Sequence, residues 1–351
     1  MLQSVPNRVV SDAGVPQFGS YRGELPGVAF DGLGGEFHVA PWMWRLRRKR
    51  WQYSLAVTQD LLMAQAVVDG RYFSQAFFYA VDLREERVVG KASFVGAPDV
   101  QGVVNDFPGA QHFSRFRAPG ARLIHHREPL RAPLRWQTDV AEVLALQPGG
   151  IHVDAAMQTD PVGAGGVAPA LTVISPVAGG RLNVTQKWAG LPLSGRARVG
   201  SRTYDLAGGV GGMDYTQGIL GRRTTWRWAM ALGYLHDGRS VGINLVEGFN
   251  DDHPTANENA LWLGDELIPL DRARFTFDRD HPERLWEIET KDGQLKLRFE
   301  AFYVHDESHN LGVIRSHFVQ PAGRFDGVLR LGGEHHRLVL HGVTEDQDVR
   351  W

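Results

Sequence analysis

The residues best suited to chemistry lie in the stretch 183–259, where acidic, amide, arginine and tryptophan side chains interrupt short apolar alternations. Asp214 and Tyr215 precede the turn sequence TQGILG, and Arg222 and Arg223 follow it. A carboxyl group beside guanidinium groups at the rim of an apolar cavity is suited to protonating or polarising a hydrocarbon or carbonyl substrate. Burial and neighbouring arginines act on such a group in opposite directions, so the sequence leaves its protonation state open. The alternative is an Asp–Arg bridge that fixes a turn between strands.

A second polar group follows at Asn244 and Glu247 and in the run Asn257, Glu258 and Asn259. Two amides beside a carboxylate can anchor a hydroxyl, carbonyl or sugar-like group through directed hydrogen bonds. Glu247 and Glu258 are also candidates for a second acid or base. The alternative role is turn capping, because asparagine and aspartate are abundant in FNDDHPTANEN.

Aromatic residues share one face of a predicted strand over 224–232, TTWRWAMAL. Trp226 and Trp228 point to one side and Arg227 to the other, because successive side chains of a strand alternate. These tryptophans and Trp262 are either cavity walls or ordinary core. The predicted site thus has Asp214, Glu247 and Glu258 as catalytic residues, and Tyr215, Arg222, Arg223, Trp226, Trp228, Asn244, Asn257 and Asn259 as ligand-binding residues.

Several kinds of site lack a sequence signal. The chain has no cysteine, which excludes disulfides, thiolate catalysis and cysteine-bound metals. His305, His309, the pair His335–His336 and His341 have no established metal-ligand spacing. There is no G-x-S-x-G motif, and the glycine-rich segments at 163–166 and 208–213 lack a following helix. We therefore predict no metal and no cofactor.

Composition indicates a folded protein without a strong electrostatic preference. The formal net charge is −2, so nothing favours nucleic acid or an anionic membrane as a partner. One basic run, RLRRKR at 45–50, is either a solvated strand end or loop, or a contact for an anionic headgroup or phosphate. The N-terminal sequence lacks the pattern of a signal peptide, and no run of about 18 apolar residues occurs. We expect a soluble cytoplasmic protein with no integral membrane segment.

The elements that must position the site are β-strands. Between 42 and 96, aromatic and β-branched runs repeat about every ten residues between polar turns, which predicts a β-meander. The stretch 61–70 has some helical character but is better explained as a strand. Few strands are predicted at 96–133, and alternation then returns at 134–147 and 150–158.

The second part of the chain is β throughout, with turn signals at regular spacing. The Gly/Pro-rich stretch 159–169 is the expected boundary, although a long hairpin loop would have the same composition. We predict an all-β fold of two lipocalin-like antiparallel barrel or sandwich halves that pack together. The expected domains are 1–160, with a Gly/Pro-rich arm, and 168–351, which carries the polar and aromatic cluster.

Six stretches resemble a bacterial family known as domain of unknown function 2804, in a consistent order along nearly the whole chain. They are 48–69, 183–195 (NVTQKWAGLPLSG), 213–229 (MDYTQGILGRRTTWRWA), 241–248 (VGINLVEG), 256–262 (ANENALW) and 318–351. The family implies no assigned activity. More distantly the chain is similar to the carotenoid hydratase and tocopherol cyclase group, which implies two lipocalin-like barrels and an apolar cavity for isoprenoid or lipid-like molecules.

Three functions are compatible with these features. The first is binding of a hydrophobic small molecule, with apolar walls and a polar end formed by the predicted site. The second is a cofactor-free hydratase, cyclase or isomerase with Asp214 as proton donor. The third is a carbohydrate-binding β-sandwich that uses tryptophan platforms. The oligomeric state is not predicted.

Overall fold

A computed structural model of the chain describes residues 2–128, 133–159, 168–249, 251, 253–310 and 315–351. The fold is almost entirely β-structure in two antiparallel sheets, as predicted. Within the described residues the helical segments are short: a 3₁₀ turn at Gly35–Phe37, α1 at Pro41–Arg47 and α2 at Glu142–Ala145. None of these helices is long or apolar enough to cross a membrane.

The first sheet is nearly closed into a barrel. Its main path runs in the order β6-β5-β4-β3-β15-β13-β11-β10-β9-β8-β7. Its strands are β1 (Gln3–Ser4), β2 (Gly19–Arg22), β3 (Arg48–Val57), β4 (Leu61–Asp69), β5 (Ser74–Asp82), β6 (Arg87–Gly96), β7 (Gly102–Val104), β8 (Phe113–Ala118), β9 (Ala121–His126), β10 (Leu134–Val140), β11 (Ile151–Met157), β12 (Leu171–Ser175), β13 (Asn183–Val199), β14 (Arg202–Asp205) and β15 (Val210–Ile219).

The second sheet is a half-barrel. Its main path runs β19-β18-β17-β16-β25-β24-β22-β21-β20. Its strands are β16 (Arg223–Tyr234), β17 (Ser240–Glu247), β18 (Ala260–Leu263), β19 (Glu266–Pro269), β20 (Ala273–Thr276), β21 (Trp286–Thr290), β22 (Leu295–Asp306), β23 (His309–Asn310), β24 (Arg315–Leu331) and β25 (Glu334–Arg350).

The two sheets pack face to face, and strand alternation divides their apolar residues between layers. Trp228 and Met230 of β16 lie in a core between the sheets, whereas Ala229 and Ala231 lie in the core inside the half-barrel. The sheets approach closely at Gly242 of β17. A Cβ atom there would lie 2.5 Å from the backbone carbon of Ala189 in β13, so only glycine fits at this contact.

The change from one sheet to the other falls between Ile219 and Arg223, where β15 ends and β16 begins. The predicted boundary at 160–168 lies mainly outside the described residues, and strands on both sides of it belong to the first sheet. The division into domains 1–160 and 168–351 therefore stays a prediction about folding units.

The predicted meander is confirmed by β3 to β6, and the ambiguous stretch 61–70 forms β4. The stretch 96–133 holds more strands than expected, namely β7, β8 and β9. The basic run at 45–50 spans the end of α1 and the start of β3, so it does lie at a strand end. It is not solvated throughout, because Lys49 and Arg50 are 1% and 7% exposed. Arg50 is held there by Asp69.

Candidate functional site

A cavity of about 450 Å³ lies between the two sheets. Its walls are mainly aromatic: Trp51, Tyr53 and Phe77 come from the first sheet, and Trp228 and Phe318 come from the second. Acidic residues and one lysine also reach this apolar space. A concave apolar pocket with a few convergent polar groups has the form expected of a small-molecule site.

Lys187, Asp214 and Glu258 form a buried charged cluster at the cavity. Lys187 Nζ lies 2.7 Å from Asp214 Oδ2 and 3.4 Å from Glu258 Oε2. Lys187 and Asp214 meet because they are register partners on β13 and β15, while Glu258 comes from the segment before β18. The cluster therefore links both sheets through ionic contacts.

Hydroxyl groups complete the surroundings of Asp214. Thr185 Oγ1 and Thr216 Oγ1 lie 3.1 and 3.0 Å from Asp214 Oδ1. With the contact from Lys187, Asp214 accepts hydrogen bonds on both carboxylate oxygens. Each oxygen of this carboxylate therefore has at least one hydrogen-bond donor from the protein.

The charged partners act on each other's pKa in the buried cluster. The pKa of Glu258 is raised because desolvation favours its neutral form, and Lys187 opposes this effect. The pKa of Lys187 is also raised, because Asp214 and Glu258 outweigh the desolvation that would lower it. Lys187 thus keeps its positive charge at neutral pH, and it lies 5.6 Å from the ring centroid of Trp228.

Glu345, which comes from β25, is an ionisable residue of the cavity outside this charged cluster. It is 6% exposed, and desolvation raises its pKa to about 7 although two hydrogen bonds oppose the shift. Trp226 Nε1 donates to its Oε1 and Gln320 Nε2 to its Oε2, both at 2.7 Å. A carboxyl group with this pKa exists in both protonation states near neutral pH, as an acid–base catalyst requires.

Tyrosines from the first sheet orient Gln320. Tyr79 and Tyr53 donate hydrogen bonds of 2.6 and 3.3 Å to Gln320 Oε1, which leaves the amide nitrogen directed at Glu345. Burial raises the pKa of both phenols well above their ordinary value, so they remain donors at neutral pH. The position of Glu345 is therefore fixed from both sheets.

A fourth acidic residue of the cavity, Glu307, lies beside His305. His305 Nε2 is 3.4 Å from Glu307 Oε1, and Gln75 of β5 donates to Glu307 Oε2. Glu307 and His305 are 7% and 4% exposed. Within the described residues, Glu307 Oε1 has no hydrogen-bond partner, so it can accept one from a ligand.

The predicted asparagines support the cavity rather than line it. Asn244 Oδ1 accepts a hydrogen bond of 2.7 Å from Trp228 Nε1, and its Nδ2 donates to the backbone oxygen of Glu258. Asn259 accepts from the amide of Val246, and Asn257 donates to the backbone oxygen of Leu270. These bonds hold Trp228 and Glu258 in place, so Asn244 in particular is a positioning residue.

Four predicted site residues lie away from the cavity: Tyr215, Glu247, Arg222 and Arg223. Tyr215 points to the opposite face of β15 from Asp214, and its hydroxyl donates to Gln217 Oε1. Glu247 also lies on the far side of its strand, because its neighbour Val246 lines the cavity. Glu247 accepts a hydrogen bond from the backbone amide of Phe275. Desolvation raises the pKa of Glu247.

Arg222 and Arg223 also lie elsewhere, in a basin at the end of the second sheet. Arg223 pairs with Asp348 at 2.7 Å. The expected Asp214–arginine pair is therefore replaced by the Asp214–Lys187 pair, because β15 ends at Ile219, before the arginines begin.

The predicted alternation of side chains along β16 is confirmed. Trp226 and Trp228 face the cavity while Arg227 points away and contacts Asp346, as strand alternation predicted. Among the described residues, no three histidine or acidic side chains are grouped to hold a metal ion. The side chain of His309 and the glycine-rich segment 163–166 lie outside the described residues.

Three charged residues line the cavity but were not among the predicted site residues: Lys187, Glu307 and Glu345. Lys187 and Glu345 each interrupt the apolar pattern of a long strand, in NVTQKWAG and HGVTEDQDVRW. A charged residue on the buried face of a strand is a usable signal. The residues that such a charge contacts depend on the register in which the strands pair, and this register cannot be read from the sequence pattern.

The nearly closed barrel and the half-barrel, with a cavity between them, form an all-β protein of two lipocalin-like halves. The chain belongs to the family called Domain of unknown function (DUF2804), whose sequence model matches residues 4–351. This confirms the family resemblance described above.

Two solved structures show a similar fold. Kievitone hydratase from Nectria haematococca aligns with a TM-score of 0.51 and 11% identity, covering 99% of this chain and 98% of that chain. CghA in a structure with Sch210972 aligns with a TM-score of 0.52 and 14% identity, covering 99% and 97%. At these identities the likeness concerns the fold alone. No curated protein sequence matches the chain.

Proposed function

We propose that the protein binds a hydrophobic small molecule in the cavity between the sheets and transfers protons on it without a cofactor, as a hydratase, cyclase or isomerase does. The observation that carries this proposal is Glu345. It is a buried carboxyl group at an apolar cavity, and its pKa is about 7. A general acid works best when its pKa lies near the working pH.

Glu345 acts as the proton donor in this proposal, in place of Asp214. It gives its proton to a double bond or carbonyl group of the substrate. It recovers a proton from the water or hydroxyl group that adds, or from a neighbouring carbon in an isomerisation, so that no proton is consumed overall. Trp226 and Gln320 stabilise the carboxylate while it is charged.

The cluster of Lys187, Asp214 and Glu258 binds the polar end of the substrate. Lys187 lies at the cavity with its charge held by two carboxyl groups. An ammonium group in this position donates a hydrogen bond to a carbonyl or hydroxyl oxygen and stabilises negative charge that develops there. The aromatic walls would take an isoprenoid-like, polyene or other lipid-like body.

An enzyme accounts for the site better than a carrier does. A carrier of hydrophobic molecules gains affinity from apolar walls, whereas burying four carboxyl groups and a lysine costs stability. One of the structural neighbours, kievitone hydratase, is an enzyme by name. A carbohydrate-binding role has less support, because Trp228 and Trp262 are 4% and 1% exposed.

The test begins with native mass spectrometry of the purified protein, organic extraction and identification of any bound small molecule. The protein with this ligand is then incubated in D₂O, and deuterium in the recovered ligand or product is measured. We expect time-dependent deuterium at carbon in the wild type. Glu345→Gln should retain the ligand and lose most of the incorporation.

Glu247→Gln is the matched control, because it makes the same chemical change on β17, at a position that does not line the cavity. It should behave as the wild type. If Glu345→Gln incorporates deuterium at the wild-type rate, Glu345 is not the proton donor. If the wild type itself incorporates none, the protein is a carrier and not an enzyme of this type. If no lipid-like molecule binds, the cavity function itself is wrong.

A further inference from the structure

Three arginines lie side by side across neighbouring strands of the second sheet. Arg350 of β25 is the register partner of Arg223 in β16 and of Arg315 in β24. Residues directly opposite each other in antiparallel strands have Cβ atoms about 4.5–5.5 Å apart, and like charges in such pairs are destabilising. The sequence thus places three positive charges in one row, at a cost to the fold.

The row is poorly neutralised by the protein. Asp348 pairs with Arg223 at 2.7 Å and also lies 3.7 Å from Arg279. Among the described residues, no acidic side chain lies within ion-pair distance of Arg315 or Arg350. Asp348 is therefore already shared by Arg223 and Arg279.

These arginines surround an open basin of about 720 Å³ at the end of the sheet. Arg222, His317, Ser308 and Ser316 also line it, and Asp348 is the one acidic residue among the described residues that do so. We propose that this basin binds an oxyanion, the phosphate or carboxylate group of a small molecule. Guanidinium groups offer paired N–H donors that match the oxygens of such groups, and the serine hydroxyls add neutral donors.

The basin is distinct from the cavity, because Arg350 and Asp348 lie on the opposite face of β25 from Glu345 and Gln347. The two sites meet at Ser316, which borders both. The oxyanion has two possible sources: a free anion, or the headgroup of an amphiphile whose apolar body enters the cavity. The anion site does not rest on the proposed proton-transfer function.

The experiment uses isothermal titration calorimetry of the full-length protein at low ionic strength, with inorganic pyrophosphate and octyl phosphate as probes and octan-1-ol as the uncharged comparison. We expect both phosphates to bind and Arg350→Gln to weaken them at least about tenfold, the effect of losing one charge-assisted contact. Arg330→Gln is the control, since it removes the same charge from an exposed position at the other end of β24. It should change binding less than about twofold.

The fold provides a second readout. Arg350→Gln removes like-charge repulsion, so its Tm without added anion should equal or exceed that of the wild type. Pyrophosphate should then raise the Tm of the wild type more than that of Arg350→Gln. Absence of phosphate binding, or equal binding by Arg350→Gln and Arg330→Gln, would overturn the proposal.

Competition identifies the source of the anion, and either result supports the site. Displacement of a cavity ligand by octyl phosphate, and not by pyrophosphate, identifies a headgroup. Simultaneous binding of pyrophosphate and the cavity ligand identifies a free anion. Glu345→Gln should leave pyrophosphate affinity unchanged, so failure of the proton-transfer function would not remove the anion site.

Discussion

The indole nitrogen of Trp226 donates a 2.7 Å hydrogen bond to Glu345 between adjacent strands of the half-barrel. The two residues are 119 positions apart in the chain. Trp226 also stacks on Trp51 of the first sheet, with ring centroids 5.7 Å apart. The residue that stabilises the charged form of Glu345 is thus itself fixed by the contact between the two sheets.

Replacing Trp226 with phenylalanine should raise the pKa of Glu345 further above its present value of about 7. The substitution removes a hydrogen bond to the carboxylate and leaves the desolvation that favours the neutral acid. The midpoint of the pH profile of deuterium incorporation should move to higher pH. Trp262→Phe is the control, because Trp262 Nε1 donates to the backbone oxygen of Pro169. Equal pH midpoints in the two variants would contradict this coupling.

Glu345 should also make stability depend on pH. Its pKa is about 7 in the folded protein against 4.5 for an ordinary glutamate. The folded state therefore holds this proton more tightly, and the stabilisation is complete below pH 4.5 and is lost as pH rises to about 7. The loss amounts to about 3 kcal/mol, from 1.36 kcal/mol per pKa unit.

Urea unfolding between pH 4.5 and 8 tests this linkage. The free energy of unfolding of the wild type should fall relative to that of Glu345→Gln across this range, because glutamine does not titrate. Glu287→Gln changes an exposed residue of β21 and should keep the wild-type slope. Parallel curves for Glu345→Gln and the wild type would show that the carboxyl group titrates normally.

Strand alternation predicted the faces of the site but not its partners. It correctly separated Trp226 and Trp228 from Arg227. Applied to Asp214 and Tyr215, it would also have placed these neighbours on opposite faces. They were grouped because the segment looked like a turn entrance, whereas Asp214 lies in the middle of β15.

The contacts within the site could not be predicted, because they depend on the register between strands that are far apart in the chain. Asp214 faces Lys187 because β13 and β15 pair with one particular offset, and one step of slip would have placed another residue there. Glu345 reaches the cavity because β25 pairs with β16, a contact between the end of the chain and its middle. Nothing in the local sequence specifies such pairings, although the nearly all-β fold itself follows from the strand and turn pattern.

Lys187→Met should destabilise the protein by about 3–5 kcal/mol, because it leaves two buried carboxyl groups without their cation. Asp214→Asn should then cost less in the Lys187→Met background than in the wild type, since it removes one uncompensated charge. Urea unfolding of the two single variants and the double variant measures this coupling. Additive losses would show that Lys187 and Asp214 contribute independently.

The close contact between the sheets at Gly242 makes a last prediction possible. Gly242→Ala places a Cβ atom 2.4 Å from Ala189 Cβ and 2.6 Å from the backbone nitrogen of Gly190, so the sheets must separate locally. We expect a loss of about 1–3 kcal/mol in the free energy of unfolding, typical of overpacking. Ligand affinity should fall with it, because the cavity walls belong to both sheets. Gly27→Ala is the control, since its nearest neighbour would be at an ordinary 3.5 Å from Phe107. Equal stability of the two variants would show that the sheets are not held at this distance in solution.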